Sequence, residues 1–235
     1  MATVIDVVMP ARNEEATVAV NVAAARGCQY VREVIVIDDG SSDATAERAL
    51  VAGAKVIRRE GGEGTGGSEG SKALAMAEGV AATDAEAILF VDADCTGLTA
   101  SHLDRICMPF LEGRAVMSIG AFDYGPFWNP QVLRWPPLSG ERVLPRWLFE
   151  AVPPPCRQGY TIEVRLNEVV AEGRLPTSVQ TMAGVSHRTK RDKLGRRVGL
   201  RHTVAMYREL LGLLLPGGVR WRTYWFYLRG LTVER

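Results

Sequence analysis

Two carboxylates one residue apart, Asp92 and Asp94, follow the apolar run AILFV, residues 87–91. At the end of a buried strand such a pair offers hard oxygen ligands to Mg2+ or Mn2+, ions that keep positions open for phosphate oxygens. A cation there acts as a Lewis acid on a departing phosphate. A helix cap plus a surface carboxylate is the plainer reading, but it leaves the placement directly after an apolar strand unexplained. A second acidic cluster, Asp38-Asp39-Gly40-Ser41-Ser42-Asp43, follows the apolar run VIVI. Its carboxylates can accept hydrogen bonds from a nucleobase or from ribose hydroxyls. A turn with Asp43 as a helix cap accounts for Gly40 and Asp43 but not for the Asp pair. Arg12-Asn13-Glu14 forms a third polar cluster, behind VIDVVM and Pro10.

These clusters need elements to bring them together. Val4 to Met9, Val34 to Ile37, Lys55 to Ile57 and Ala87 to Val91 read as short buried strands. Helices are expected from Ala16 to Gly27, Ala44 to Gly53 and Lys72 to Val80. The alternation implies a mostly parallel, Rossmann-like sheet covered by helices on both faces, an α/β fold. In such sheets ligands bind beyond the carboxyl ends of the strands, and all three clusters fall there. Residues 60–71 (EGGEGTGGSEGS) read as a flexible glycine-rich loop. The later pattern predicts helices over 102–111, ending at 147–152, over 160–172 and over 200–215. Strands are expected over 115–122 and 179–185, and a loop over 125–137.

The ordered segments VVMPARNEE, VIVIDDGSSDAT and AILFVDAD resemble the opening of family-2-type glycosyltransferases with the GT-A fold, across residues 4–100. The resemblance implies that Pro10, Arg12, Glu14, Asp38 and Asp39 line a nucleoside site. It implies that Lys72 helps hold the nucleotide or its diphosphate, and that Asp92-Ala93-Asp94 meets the diphosphate through the metal. In the second half, Leu138-Ser139-Gly140-Glu141-Arg142, Gly159-Tyr160-Thr161-Ile162-Glu163-Val164 and Gly184-Val185-Ser186-His187-Arg188 are similar to glucosyl-3-phosphoglycerate synthases. That similarity implies an acceptor side at Gly140, Arg142, Gly159, Tyr160 and Glu163, with His187 completing the metal site. The chain departs from that group in its shorter length and in Gly-Ser-Lys at residues 70–72, where the group has Gly-Lys-Gly. Polyprenyl-phosphate sugar synthases share similar Ser-Gly-x-Arg and Gly-Tyr segments.

Two of these residues carry rival readings. Glu163 is either ion-paired, with Arg142 or Arg165 as partner, or an acceptor contact and general base. His187 is either a structural histidine or a metal ligand. His102 and His202 sit in helical patterns and read as structural.

Composition sets the frame. The 235 residues are 47% hydrophobic and 23% charged, as in a globular protein. One catalytic domain is expected over 1–199, with a nucleotide-sugar half (1–100) and an acceptor half (101–199), followed by a basic, aromatic helical segment (200–235). The four cysteines show no C-x-x-C spacing, so free thiols in a cytoplasmic setting are expected, with no signal peptide and no membrane span. Residues 1–100 carry 16 acids against 8 bases, and residues 188–235 carry 12 bases against 3 acids. The basic end, with Trp221, Tyr224, Trp225, Phe226 and Tyr227, is suited either to peripheral contact with the inner face of a membrane or to packing on the core or on a second copy in a homodimer.

The expected partners are therefore a nucleotide-sugar donor and a small anionic or lipid-phosphate acceptor, with no nucleic acid. Two alternatives to a glycosyltransferase are a nucleotidyltransferase of related fold and a noncatalytic nucleotide-sugar-binding protein. The first opens with a glycine-rich loop after strand one, where this chain has PARNEE. The second does not need an intact Asp92 and Asp94.

Overall fold

The computed structural model of the chain describes residues 3–59, 72–132, 139–153, 162–187 and 221–234. The apolar β-branched runs near the start become parallel strands β1 (Ile5–Ala11), β2 (Val31–Asp38), β3 (Lys55–Arg58) and β4 (Ala87–Phe90). The first three are linked by helices α1 (Val18–Gly27) and α2 (Thr45–Val51), and α3 (Lys72–Ala81) precedes β4. Then come β5 (Cys95–Thr96), α4 (Ala100–Leu111), β6 (Met117–Phe122), α5 (Asn129–Val132), β7 (Arg142–Pro145) and α6 (Arg146–Glu150). The remaining elements are α7 (Ile162–Glu172), β8 (Thr177–Met182), β9 (Ser186–His187), α8 (Trp221–Gly230) and β10 (Leu231–Glu234).

The main sheet has the order β10-β8-β6-β7-β4-β1-β2-β3. All its neighbours pair in parallel except β7, which is antiparallel to both β4 and β6. Side chains alternate across it. Val7, Met9, Leu89 and Val91 pack with α1, α2 and α4 on one face. Val8, Ile88 and Phe90 pack with α3, α6, α7 and α8 on the other. Where α3 crosses β1 the backbones come close: a Cβ on Gly79 would lie 2.3 Å from Val8 Cγ1.

Several expected boundaries shift for local reasons. β2 starts at Val31 rather than Val34, because buried Asp6 accepts from Glu33 N (3.2 Å) and pairs with Arg32 (2.6 Å), which extends the pairing past the apolar run. The late strand runs Thr177–Met182 and stops before Gly184, whose φ of 73° turns the chain into β9. β5, β7, β9 and β10 were not expected as strands, and α5 lies inside an expected loop. The chain end, expected to be helical, finishes as β10, which pairs with β8 and so belongs to the main sheet. The glycine-rich loop and the helix expected over 200–215 lie outside the described residues.

Candidate active site

The carboxyl ends of β1, β2 and β4 meet on one edge. Ala11 is registered against Asp38, and Val8 against Phe90. The first two loops are sewn together. Asn13, at φ 56°, donates from its backbone N to Ser41 Oγ (3.0 Å) and accepts from Ser42 N (2.9 Å). Asn tolerates that left-handed backbone better than other non-glycine residues. Glu14 N donates to Thr45 Oγ1 (2.8 Å), and the Glu14 side chain is buried. Arg12 is exposed and Pro10 half-buried at the same edge.

Asp38 is fully buried, and its Oδ1 accepts from Ser41 N (3.1 Å). Arg58 Nε lies 3.4 Å from Asp38 Oδ2, an ionic contact without hydrogen-bond geometry, since that oxygen accepts no hydrogen bond. Asp39 pairs with Arg59 Nη1 at 2.5 Å, and Arg59 Nε pairs with Glu78 at 2.8 Å. Arg58 and Arg59 were missed as site residues. Their signal was positional: two arginines at the end of the strand beside β2.

Asp92 and Asp94 leave β4 half-buried at the same edge, with Ala93 buried between them. Two groups hold this turn from behind. Asn21 of α1 donates to Ala93 O (2.9 Å) and Cys95 O (3.0 Å). Glu141 accepts from Asp92 N (3.3 Å) and from the Cys95 thiol (3.0 Å). Because β7 runs antiparallel, with Arg142 opposite Phe90, its leading residues Ser139 to Glu141 arrive at this edge. Gly140 lies against the Asp92 carboxylate: a Cβ there would be 2.2 Å from Oδ2.

Burial and the charge of Asp92 push the Glu141 carboxyl up to about 7. The hydrogen bonding agrees. Ser139 Oγ has one proton and two acceptor neighbours, Gly120 O and Glu141 Oε2 (2.6 Å for the second). Both contacts are satisfied when Glu141 Oε2 carries a proton and donates it to Ser139 Oγ. Burial, then the nearby carboxylates of Glu141 and Asp92, holds the Cys95 thiol well above its ordinary range, so it stays a donor.

Lys72 joins the two sides of the site. As the first residue of α3 it places Nζ 2.7 Å from Asp92 Oδ1 and 2.9 Å from Glu163 Oε1. Burial opposes its charge, but the two carboxylates outweigh that and raise its pKa well above the ordinary lysine value. Glu163 sits in the first turn of α7, where the helix end favours a negative charge.

The ion pair expected for Glu163 is thus made by Lys72. Arg165 pairs instead with Glu168 (2.6 Å), and Arg142 reaches the Glu163 main-chain carbonyl (3.5 Å). Arg142, expected to touch the acceptor, is fully buried. It donates to Ser139 O (2.9 and 2.5 Å) and Asn167 Oδ1 (3.3 Å), bracing β7 against α7. An enclosed guanidinium does not present itself to a ligand, so in this arrangement its work is structural.

His187 is registered across from Cys95, the residue after Asp94, which brings its backbone beside the turn. Among the described residues no three metal-ligating side chains converge. Two carboxylates at one strand end, with Gly140 leaving room for the first, nevertheless suit a hard divalent ion that completes its shell with phosphate oxygens and water. His102 accepts from Thr99 N (3.2 Å) at the start of α4, a structural role. Gly159, Tyr160 and His202 lie outside the described residues.

The model of glycosyl transferase family 2 matches residues 6–159. The chain belongs to this family. Among curated proteins, this family 2 chain is 32% identical over 120 residues to glucosyl-3-phosphoglycerate synthase of Mycobacterium tuberculosis (strain ATCC 25618 / H37Rv), covering 50% of this chain and 37% of that protein. It is 34% identical over 120 residues to the synthase of Mycolicibacterium smegmatis, covering 50% and 40%. The matched stretch is thus well under half of these relatives.

Among solved structures, the M. tuberculosis synthase in complex with Mn2+, uridine diphosphate and phosphoglyceric acid superposes with a TM-score of 0.70 at 27% identity, over 91% of this chain and 78% of that one. The same enzyme with Mn2+, UDP-glucose and phosphoglyceric acid gives 0.68 at 27% identity, over 89% and 77%. The GT-A fold expected from the sequence is the fold of this family 2 chain.

Proposed function

We propose that this chain transfers a glycosyl group from a nucleotide diphosphate sugar, UDP-glucose first among candidates, to the hydroxyl of a small phosphorylated acid of the phosphoglycerate kind. The observation that carries this reading is the Asp92–Lys72–Glu163 bridge, which ties the end of β4, on the donor side, to α7, on the acceptor side. The complexes of the M. tuberculosis synthase with Mn2+, UDP-glucose and phosphoglyceric acid support the choice of metal, donor and acceptor class.

In this reading Pro10, Arg12, Glu14, Asp38 and Asp39 face the nucleoside. Asp92, Asp94 and His187 would hold Mg2+ or Mn2+, which would supply positive charge to the departing diphosphate. Lys72 lies at the same place and adds a second positive charge near the diphosphate. The bond between the sugar's anomeric carbon and the diphosphate oxygen breaks, and a bond to the acceptor oxygen forms. The acceptor hydroxyl proton leaves to a base or to water. Glu163, the carboxylate on the acceptor side, contacts that hydroxyl, with Gly140, Gly159 and Tyr160 shaping the acceptor's seat.

A soluble acceptor is preferred over a lipid phosphate on one observation. Tyr227 is buried in the core and Phe226 lies partly buried under the Arg174 guanidinium (4.8 Å), which leaves Trp225, stacked with Arg229, as the exposed ring among these three. No helix among the described residues is long and apolar enough to cross a membrane. We place the enzyme in the cytoplasm, consistent with the free thiols of Cys28, Cys95 and Cys107.

The test is a panel of nucleotide sugars against phosphorylated acids and polyprenyl phosphates with Mn2+, read as nucleotide diphosphate release. Turnover with UDP-glucose and a phosphoglycerate supports the reading. Release with polyprenyl phosphate alone overturns the acceptor class. Absence of release with every pair, from a protein that binds the nucleotide, favours a noncatalytic binding role.

A further inference from the structure

The stripe that α1 presents to the sheet is Val18, Asn21, Val22 and Ala25, all buried. Three of these are apolar, as a core stripe requires. Asn21 is not, yet it is fully enclosed. A buried amide needs partners, and Asn21 finds them for half of itself. Its Nδ2 donates to Ala93 O (2.9 Å) and to Cys95 O (3.0 Å), while its Oδ1 has no hydrogen-bond partner. An unmatched buried acceptor destabilises a core. A valine or leucine in that stripe would avoid the cost. It would also leave the Ala93 and Cys95 carbonyls without this donor, so the polar residue serves the turn rather than the stripe.

Its two donor contacts say what for. The carbonyls it engages are those on either side of Asp94, and together they draw the backbone of the Asp92-Ala93-Asp94 turn toward α1. We propose that Asn21 is a positioning residue for the metal-binding turn: it fixes the backbone from which Asp94 projects, and so sets how well the turn holds a divalent cation. The inference rests on the reading of Asp92 and Asp94 as metal ligands given above. It assigns a role to a residue of α1, 71 positions before Asp92 in the chain.

A residue that orients a ligand from behind should change metal affinity by about 10- to 100-fold when removed. It should leave alone the parts of the site that α1 does not hold. The experiment uses the full chain, as wild type and as Asn21→Leu and Asn21→Ser. Leu matches the apolar stripe and removes both donors; Ser keeps one hydroxyl donor. Mn2+ binding in the presence of uridine diphosphate is followed by loss of the free-ion electron paramagnetic resonance signal. Uridine diphosphate binding in EDTA is followed by calorimetry.

The expected result is Mn2+ affinity weakened by about tenfold or more in Asn21→Leu and by less in Asn21→Ser, with metal-free uridine diphosphate affinity unchanged. If Asn21→Leu does not fold, Asn21→Ser carries the measurement, and weakened Mn2+ affinity with unchanged metal-free nucleotide binding remains the expectation. Mn2+ affinity equal to wild type in a folded variant overturns the inference. So does an equal loss of metal-free nucleotide affinity, which marks a general structural role. Wild-type protein that binds no Mn2+ overturns the metal reading itself, and the inference with it.

Discussion

Glu141 sits in an environment far from water for a carboxyl group. It is fully buried beneath the Asp92 turn, and its carboxyl titrates at about 7 against an ordinary 4.5. A folded pKa raised above the unfolded one means that folding favours the protonated form. The stability this contributes is fully present below about pH 4.5 and is lost as pH rises through about 7. That difference corresponds to on the order of 3 kcal/mol in the metal-free protein. Glu141→Gln cannot titrate. Unfolding free energies of the two proteins should therefore diverge from pH 5 to pH 8, with wild type losing ground to the variant. Parallel curves would mean that Glu141 is already ionised at pH 5.

Gly140 makes a second prediction at this scale, because its missing Cβ is what gives the Asp92 carboxylate room. Gly140→Ala should move that carboxylate and reduce turnover by about 100-fold, as expected for a displacement near 1 Å in a catalytic constellation. The melting temperature should barely change. Full activity in the variant would show that Asp92 has slack.

At the scale of elements, β7 does what no other strand in the main sheet does. By running antiparallel it delivers its leading residues to the carboxyl edge, where the parallel strands deliver their trailing ones. Arg142 then ties β7 to α7 through Asn167 Oδ1 and the Glu163 carbonyl. Arg142→Met should cost about 2–4 kcal/mol, from lost charge-assisted hydrogen bonds and the buried acceptors left behind. Chemical denaturation measures this. A variant of unchanged stability whose KM for the acceptor alone has risen would restore Arg142 as an acceptor contact.

The same contrast explains what could be read from the sequence. The parallel strands announce themselves as apolar runs with acidic residues at their ends, so the placing of Asp38, Asp39 and Asp92 at one edge was legible. β7 is four residues long and lies beside the prolines at 136 and 137, so its pattern is too short to distinguish from a loop. Arg142 looked like a ligand contact because its burial depends on α7, 20 residues later. Asn21 was invisible for a related reason. An Asn in a helical stripe has no signature, and its partners are backbone atoms in a distant turn. Lys72 as the partner of Glu163 required knowing that the starts of α3 and α7 meet at the same edge.

For the molecule as a whole, the C-terminal residues close the sheet. β10 extends it beyond β8, and Tyr227, Phe226, Leu228 and Leu231 pack on the core that α7 shares. Deleting residues 221–235 should therefore destabilise the protein by at least about 3 kcal/mol, the scale of exposing one or two large buried side chains. Thermal melting checks this. The intact chain should leave anionic vesicles unbound in a sedimentation assay. Salt-sensitive binding that disappears with this deletion would instead favour a membrane-bound acceptor.

If Asp92 and Asp94 clamp the donor's diphosphate through a divalent ion, Mn2+ must strengthen nucleotide binding only while both carboxylates are present. Calorimetric titration of uridine diphosphate into the wild type and into Asp94→Ala, each with Mn2+ and with EDTA, tests it most directly. Mn2+ should tighten nucleotide binding in the wild type, and Asp94→Ala should lose this gain while keeping its melting temperature and its weaker metal-free binding. The same Mn2+-dependent gain in both proteins would contradict it.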